Sequence, residues 1–259
     1  MFSLLLMTAC VKSPTNNQDY VWPVGVELDY NVVVSQTGLF GPSGGLDVGS
    51  TTYTEFTLSC VAEVKSGRYQ PMNCSIPSNV VYRISRRDGS LQDFPDQTYD
   101  GEIKLKWQSR YLKKFDADGI LDLFRASVQN AAGALSTAEL PDVCELGKKW
   151  TDKKEHMITR LEYLNGPGSR KAEHELTECG EQTKLYTVTT NRISSQVALG
   201  ADGVVSQEAP RFDLTGYSLS TFDSQGLLIS KEFQQKLTAT SLGLAPGSIS
   251  HTVVVSLVD

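Results

Sequence analysis

From Tyr20 onward the chain alternates apolar and polar residues with a period of two. The alternation is broken at intervals by clusters of Gly, Pro, Asn and Asp, the pattern of antiparallel strands with one buried face. Tyr30, Val32 and Val34 share a face. Between Tyr53 and Ala62, Phe56, Leu58, Cys60 and Ala62 point one way and Tyr53, Glu55, Thr57 and Ser59 the other. Val80 to Ile84 reads as a short strand, and Ile103, Leu105 and Trp107 alternate with Glu102, Lys104 and Lys106. Further strands are expected near 155–164, 183–190, 192–199, 212–220, 226–231 and 232–242, with a valine-rich one from Ser248 to Val258. Gly38 to Gly49 reads as a flexible loop, Leu164 to Ser169 as a turn, and Arg86-Arg87-Asp88-Gly89 as a hairpin turn.

One segment changes period. Ile120, Leu123, Phe124, Ser127, Val128 and Ala131 form a single stripe at helical spacing, with Asp122, Arg125 and Gln129 facing away. Asp116 or Asp118 is placed to cap this helix, which runs to about Ala134. A lone amphipathic helix in a β-rich chain must bury its stripe against the sheet. The expected fold is therefore mainly β: an antiparallel barrel plugged by the helix, or a strongly curved half-barrel, of about ten or more strands with one central α-helix. Neither a domain linker nor an internal repeat is evident, so 20–259 is read as one β-barrel-like domain.

The N-terminus has a different character. Phe2 to Ala9 is an apolar stub ending in two small residues before Cys10, followed by a polar stretch, Val11 to Asp19. This resembles the lipobox of bacterial lipoproteins, in which the signal is cut before the cysteine and the new N-terminus is acylated. The resemblance implies a signal peptide at 1–9, lipid attachment at Cys10 and a tether at 10–19. The signal is short and lacks the usual leading Lys or Arg. Val11-Lys12-Ser13 lacks the aspartate associated with inner-membrane retention, so the implied address is the outer membrane, facing the periplasm or the exterior. Stable anchoring takes more than one acyl chain, which a mature lipoprotein cysteine supplies.

The remaining cysteines, Cys60, Cys74, Cys144 and Cys179, are even in number, as in an oxidising compartment. Ser66-Gly67-Arg68 lies midway between the first two, so a hairpin centred on Gly67 sets Cys60 opposite Cys74. Cys144–Cys179 follows by exclusion. The short CxxC pairs of a four-cysteine zinc site do not occur.

Candidate chemistry is sparse. The net charge of −6 argues against a nucleic-acid binder. The acidic run Asp116-Ala117-Asp118-Gly119 is unsuited to calcium, because Lys114 and Arg125 occupy the flanking ligand positions of an EF-hand loop. Lys104, Lys106, Arg110, Lys113 and Lys114, interleaved with Trp107 and Tyr111, read as the solvated side of a strand. Lys148, Lys149, Lys153 and Lys154 flank Trp150 in what reads as a loop. Among the three histidines, His156 and His251 sit in strand patterns. Glu173-His174-Glu175 is a poor metal set because strand neighbours point to opposite faces. No GxSxG elbow or phosphate loop is present. The chain is expected to be non-enzymatic, with no cofactor and no metal.

Three stretches resemble the N-terminal β-barrel of vitellogenin and the other large lipid transfer proteins. They are Asp100-Gly101-Glu102-Ile103 leading to Asp118-Gly119-Ile120-Leu121-Asp122-Leu123-Phe124; Glu178-Cys179-Gly180 through Tyr186-Thr187-Val188; and Ser206 to Phe212 through Gln234-Gln235-Lys236-Leu237. The family pattern has Gly before the cysteine and a partner cysteine downstream. Here none follows Cys179, and Cys144 must supply the partner. The likeness would cover most of 20–242 and implies a barrel around a helix, without the family's large lipid cavity. The combined expectation is a membrane-anchored envelope lipoprotein binding a lipid or other apolar ligand in a curved sheet, or alternatively a protein-interaction module with a helix-filled barrel.

Overall fold

A computed structural model describes residues 20–40, 46–118, 122–161, 164–194, 211–240 and 248–258. Thirteen strands form one antiparallel sheet: β1 (Glu27–Phe40), β2 (Leu46–Ala62), β3 (Gln70–Ser75), β4 (Val81–Ser85), β5 (Leu91–Asp93), β6 (Ile103–Gln108), β7 (Tyr111–Ala117), β8 (Lys149–Leu161), β9 (Leu164–Cys179), β10 (Thr183–Ser194), β11 (Arg211–Phe222), β12 (Leu228–Thr240) and β13 (Ser248–Leu257). The one helix, α1, spans Asp122–Ala134. The strand order is β7-β6-β3-β2-β1-β13-β12-β11-β10-β9-β8, with β4 and β5 branching from the far half of β2. β1 therefore pairs with β13 across nearly the whole chain length, Val32 opposite Val255 and Val34 opposite Val253.

The period-two faces determine which side is buried. Tyr30, Val32, Val34, Phe56, Leu58, Ile103, Leu105, Trp107, Val253 and Val255 all point to the inner face and are buried. α1 lies on that face and touches β1, β7 and β13. Val128, Ala131 and Ala132 are fully buried there. Phe124 meets the Tyr82 ring edge-on at 5.4 Å, and Ser127 shares a hydroxyl hydrogen bond with Thr54. Burying a side chain such as Val128 contributes roughly 1.5–3 kcal/mol, and the alanines let the helix approach the strands closely. Ile120 and the side chains of Asp122 and Leu123 fall outside the described residues.

The sheet does not close into a barrel, which corrects the barrel alternative. Its two edge strands do approach each other, since the Tyr111 hydroxyl on β7 donates to Asp152 Oδ2 on β8 at 3.3 Å. Backbone closure is pre-empted by the chain leaving α1. Thr137 N–H donates to Arg110 C=O, Leu112 N–H to Ser136 Oγ, and Arg110 N–H to Glu139. The start of the β7 edge, at Arg110 and Leu112, is thus hydrogen-bonded to this segment and not to β8. The other edge, β8, carries Lys149 near its start, a charge of the kind that discourages edge-to-edge pairing.

Arg110 is another departure. Instead of lying in solvent, its guanidinium is buried, 3.8 Å from the Tyr20 ring centre and 5.1 Å from that of Phe222, and donates to Gly226 C=O. Burial pulls its pKa below the ordinary arginine value and pushes the Tyr20 hydroxyl up to about 12. Next to Tyr20, Trp22 packs on Trp107 and is clamped by Gln70, which accepts from its N–H and donates to its C=O. The N-terminal segment is thereby pinned across the end of the sheet.

Several boundaries also shift. Asp116 belongs to β7 and pairs with Lys114 at 3.1 Å, so it does not cap α1. Leu164 to Ser169 opens β9 instead of forming a turn, and Lys149 to Lys154 lie in β8, not in a loop. Pro167 is tolerated because the β9–β10 register ends at Gly168, beyond which no partner on that side demands its missing N–H. β1 and β2 extend into the expected loop between Gly38 and Gly49, reaching Phe40 and starting at Leu46, and 41–45 lie outside the described residues. The strands expected separately at 183–190 and 192–199, and at 226–231 and 232–242, run together as β10 up to Ser194 and β12 up to Thr240, while 195–199 and 241–242 lie outside the described residues.

Two stability outcomes are expected. Ala131→Leu, which overpacks the α1 contact, should lower the unfolding free energy by about 1–3 kcal/mol; a neutral or stabilising result in denaturant titration would mean there is free space beneath the helix. Arg110→Ala should cost about 3 kcal/mol by removing a buried, stacked cation. Arg110→Lys should recover less than half of that loss, because a point charge cannot both stack on two rings and reach Gly226.

Candidate functional site

The inner face divides into two chemistries. Beneath α1 it is apolar, whereas on β9 to β11 it is lined by buried Thr187, Thr189, Asn191, Ser218 and Ser220. The register places Trp150, His174, Thr187 and Ser218 in one cross-strand row. His174 is buried, with Nδ1 2.9 Å from Thr187 Oγ1 and Nε2 3.3 Å from Asp152 Oδ2, and the Trp150 ring lies 5.1 Å away. With the Tyr111 hydroxyl on the same Asp152 oxygen, a chain Tyr111–Asp152–His174–Thr187 joins the two edges of the sheet. A hydroxyl, an imidazole and a carboxylate in series form the elements of a nucleophilic relay. Here, however, Thr187 is buried, and none of the four lines either of two cavities at the surface of the described residues.

Those cavities lie elsewhere. One, about 400 Å³, is bordered by Ser50, Ile84, Arg86, Arg87 and Asp88 at the β4–β5 hairpin. The other, about 360 Å³, is an open groove on the outer face between Val33, Tyr53, Val81, Arg83 and Leu91.

The residues singled out from the sequence fall as follows. Cys10 and the tether before Tyr20 lie outside the described residues. Cys60 and Cys74 are directly opposed in the β2–β3 register and bonded, their Cα atoms 4.1 Å apart. The intervening turn needs a glycine, since Gly67 has φ +60°. Cys144 is bonded to Cys179, tying the loop that precedes β8 to the end of β9. Closing loops with separations of 14 and 35 residues contributes about 3–4 kcal/mol each in the chain-entropy account. Glu173 and Glu175 point away from His174 and pair with Lys171 and Lys149. In the basic run, Lys104 pairs with Glu102 and Lys114 with Asp116. Groups of three or more potential metal ligands are absent among the described residues. The side chain of His156 falls outside them.

The Tyr111–Asp152–His174–Thr187 chain was not anticipated. Its one sequence signal was a polar inner face on β10, Thr187-x-Thr189-x-Asn191, where the alternation keeps its period but loses its apolar members. His251 is a different case: it sits on β13 against the Phe233 ring at 5.6 Å, and burial lowers its pKa from 6.5. Compared with known protein families and with curated proteins, the sequence matches none.

A pH outcome follows for His251. Its folded pKa lies below the unfolded value of 6.5, so the unfolded state takes up the proton first. Stability should be unaffected by this group above about pH 7 and should fall as the pH drops through the unfolded pKa. His251→Gln should flatten that part of the stability-against-pH curve. Parallel curves for the two proteins between about pH 7 and 5 would exclude His251 as the cause.

Proposed function

We propose that this protein is a non-enzymatic interaction module of a bacterial cell envelope, held to its membrane by acyl chains on Cys10 and built as a strongly curved half-barrel around α1. The observation that favours this over carriage of a lipid in the curved sheet is the position of α1. A small-molecule site typically occupies about 300 Å³ or more, enclosed by mostly apolar walls. The apolar part of the inner face is instead occupied by Phe124, Val128, Ala131 and Leu135. The rest of that face, on β9 to β11, mixes Ala172, Leu176, Leu185 and Phe222 with buried threonine, serine, asparagine and His174, polar groups that suit an acyl chain poorly.

The outer face supplies what a protein partner uses. Tyr186 lies directly opposite Leu219, and Val188 opposite Tyr217, on adjacent strands, and all four are exposed. Aromatic and aliphatic side chains grouped on a flat, rigid sheet are the usual centre of a protein interface. The likeness to the large lipid transfer proteins fits the same outline, a sheet around one helix. The paired cysteines fit an oxidising envelope compartment.

Native mass spectrometry of the purified full chain should give the polypeptide from Cys10 plus its own acyl chains and nothing further. A stoichiometric co-purifying lipid would overturn the interaction reading in favour of carriage. A polypeptide retaining Met1 and lacking acyl mass would remove the anchor.

A further inference from the structure

Antiparallel alternation gives the sheet two ends. β1, β3, β7, β8, β10 and β12 begin at one of them, and β2, β6, β9, β11 and β13 finish there. The N-terminal segment arrives at this end, where Val24 bridges to Ala62 and Gly25 N–H donates to Ala62 C=O. Among the described residues, sixteen large hydrophobic side chains are exposed, and eight of them lie at this end. All eight are aliphatic, and the most exposed are Val64 and Leu146, each at 73%. Val24, Val26 and Val64 cluster around the Val24–Ala62 bridge. Val258 follows β13 beside them, its N–H donating to Asp29 C=O. Val143 and Leu146 flank Cys144, whose disulfide fixes their loop to β9. Seven of the other eight are mid-strand residues of the outer face, and Leu91 lies beside the β4–β5 hairpin.

We infer that this end of the molecule rests in the surface of a lipid bilayer, with Val64 and Leu146 entering the boundary between headgroups and acyl chains. The inference depends on Cys10 being the anchor point, as proposed above. Nine residues lie between Cys10 and Tyr20, and the ten steps from one to the other, fully extended, span at most about 35 Å. Tyr20 is itself fixed by Arg110 and Trp22 by Gln70, so a membrane holding Cys10 holds this end nearest to it. Part of the acidic charge at this end is paired. Glu145 pairs with Lys148, Glu178 with Lys184 and Glu139 with Arg110, which limits repulsion from anionic headgroups. Arg68, beside Val64 in the Gly67 turn, lies over the Tyr69 ring, an arrangement with an apolar body and a charged tip that fits the interface. Aliphatic side chains without hydrogen-bonding groups gain most from such a site, each buried methylene contributing about 0.8 kcal/mol.

The test keeps the tether length while removing any dependence on natural acylation. The full chain with Cys10→Ser, and with hexahistidine in place of residues 4–9, is held on phosphatidylcholine vesicles containing nickel-chelating lipid and brominated phosphatidylcholine. Tryptophan is introduced singly by Val64→Trp, Leu146→Trp and Leu91→Trp, the last near the far end. After subtraction of the parent signal, brominated lipid should quench the first two at least twofold more than the third. Equal quenching at all three, or more at position 91, would overturn the inference. Matching thermal midpoints confirm that each variant is folded. The intact mass of the natively processed protein tests the anchor separately, so failure of the anchor and failure of the bilayer contact give different results.

Discussion

One face of α1 must be covered, and the strands that cover it are far apart in the sheet. The helix touches β7, at one edge of the strand order, as well as β1 and β13 near the middle, and Phe124 reaches Tyr82 on β4. Only a curved sheet brings those strands to one helix, and only a helix of small residues at the contact, Ala131 and Ala132, lets the curve tighten. The same curvature brings Tyr111 within hydrogen-bonding distance of Asp152. It stops short of closure, and residues 136–139, leaving the helix, occupy the start of the β7 edge at Arg110 and Leu112. The core, the open seam and the position of the polar inner wall all follow from where the helix lies.

The end of the sheet nearest the N-terminal segment is the fastened end. Arg110 sandwiched with Tyr20 and Phe222, Gln70 gripping Trp22, and two disulfides all act there, and the connections between strands at that end include tight turns at Gly67 and Gly226. Gly226 has φ +80°, and a Cβ there would meet the Arg110 guanidinium at 2.9 Å, so the turn and the latch require each other.

The inner wall on β9 to β11 buries polar residues, several of which contact one another across strands. Thr187 meets His174, and Asp152 accepts from the Tyr111 hydroxyl and lies 3.3 Å from His174 Nε2, so these contacts run between strands that the curvature has brought together. Such a network specifies geometry more than it adds stability. The outer face presents the reverse arrangement, with Tyr186, Val188, Tyr217 and Leu219 held flat on rigid strands in contact with solvent.

Local pattern by itself determined the strands with a clean period of two, the single helix and the opposition of Cys60 to Cys74, because each of these depends on neighbours a few residues away. It misread Arg110, since nothing adjacent in sequence reveals that Tyr20 and Phe222 will enclose it. It placed a turn at Leu164 to Ser169 because Gly and Pro usually break strands, whereas the β9–β10 register ends where Pro167 would have mattered. It gave no sign of the Tyr111–Asp152–His174–Thr187 chain, whose members come from β7, β8, β9 and β10. Whether the sheet would close, what would fill it and which aliphatic residues would gather at one end were decided only by tertiary structure, because each depends on how far one helix bends thirteen strands.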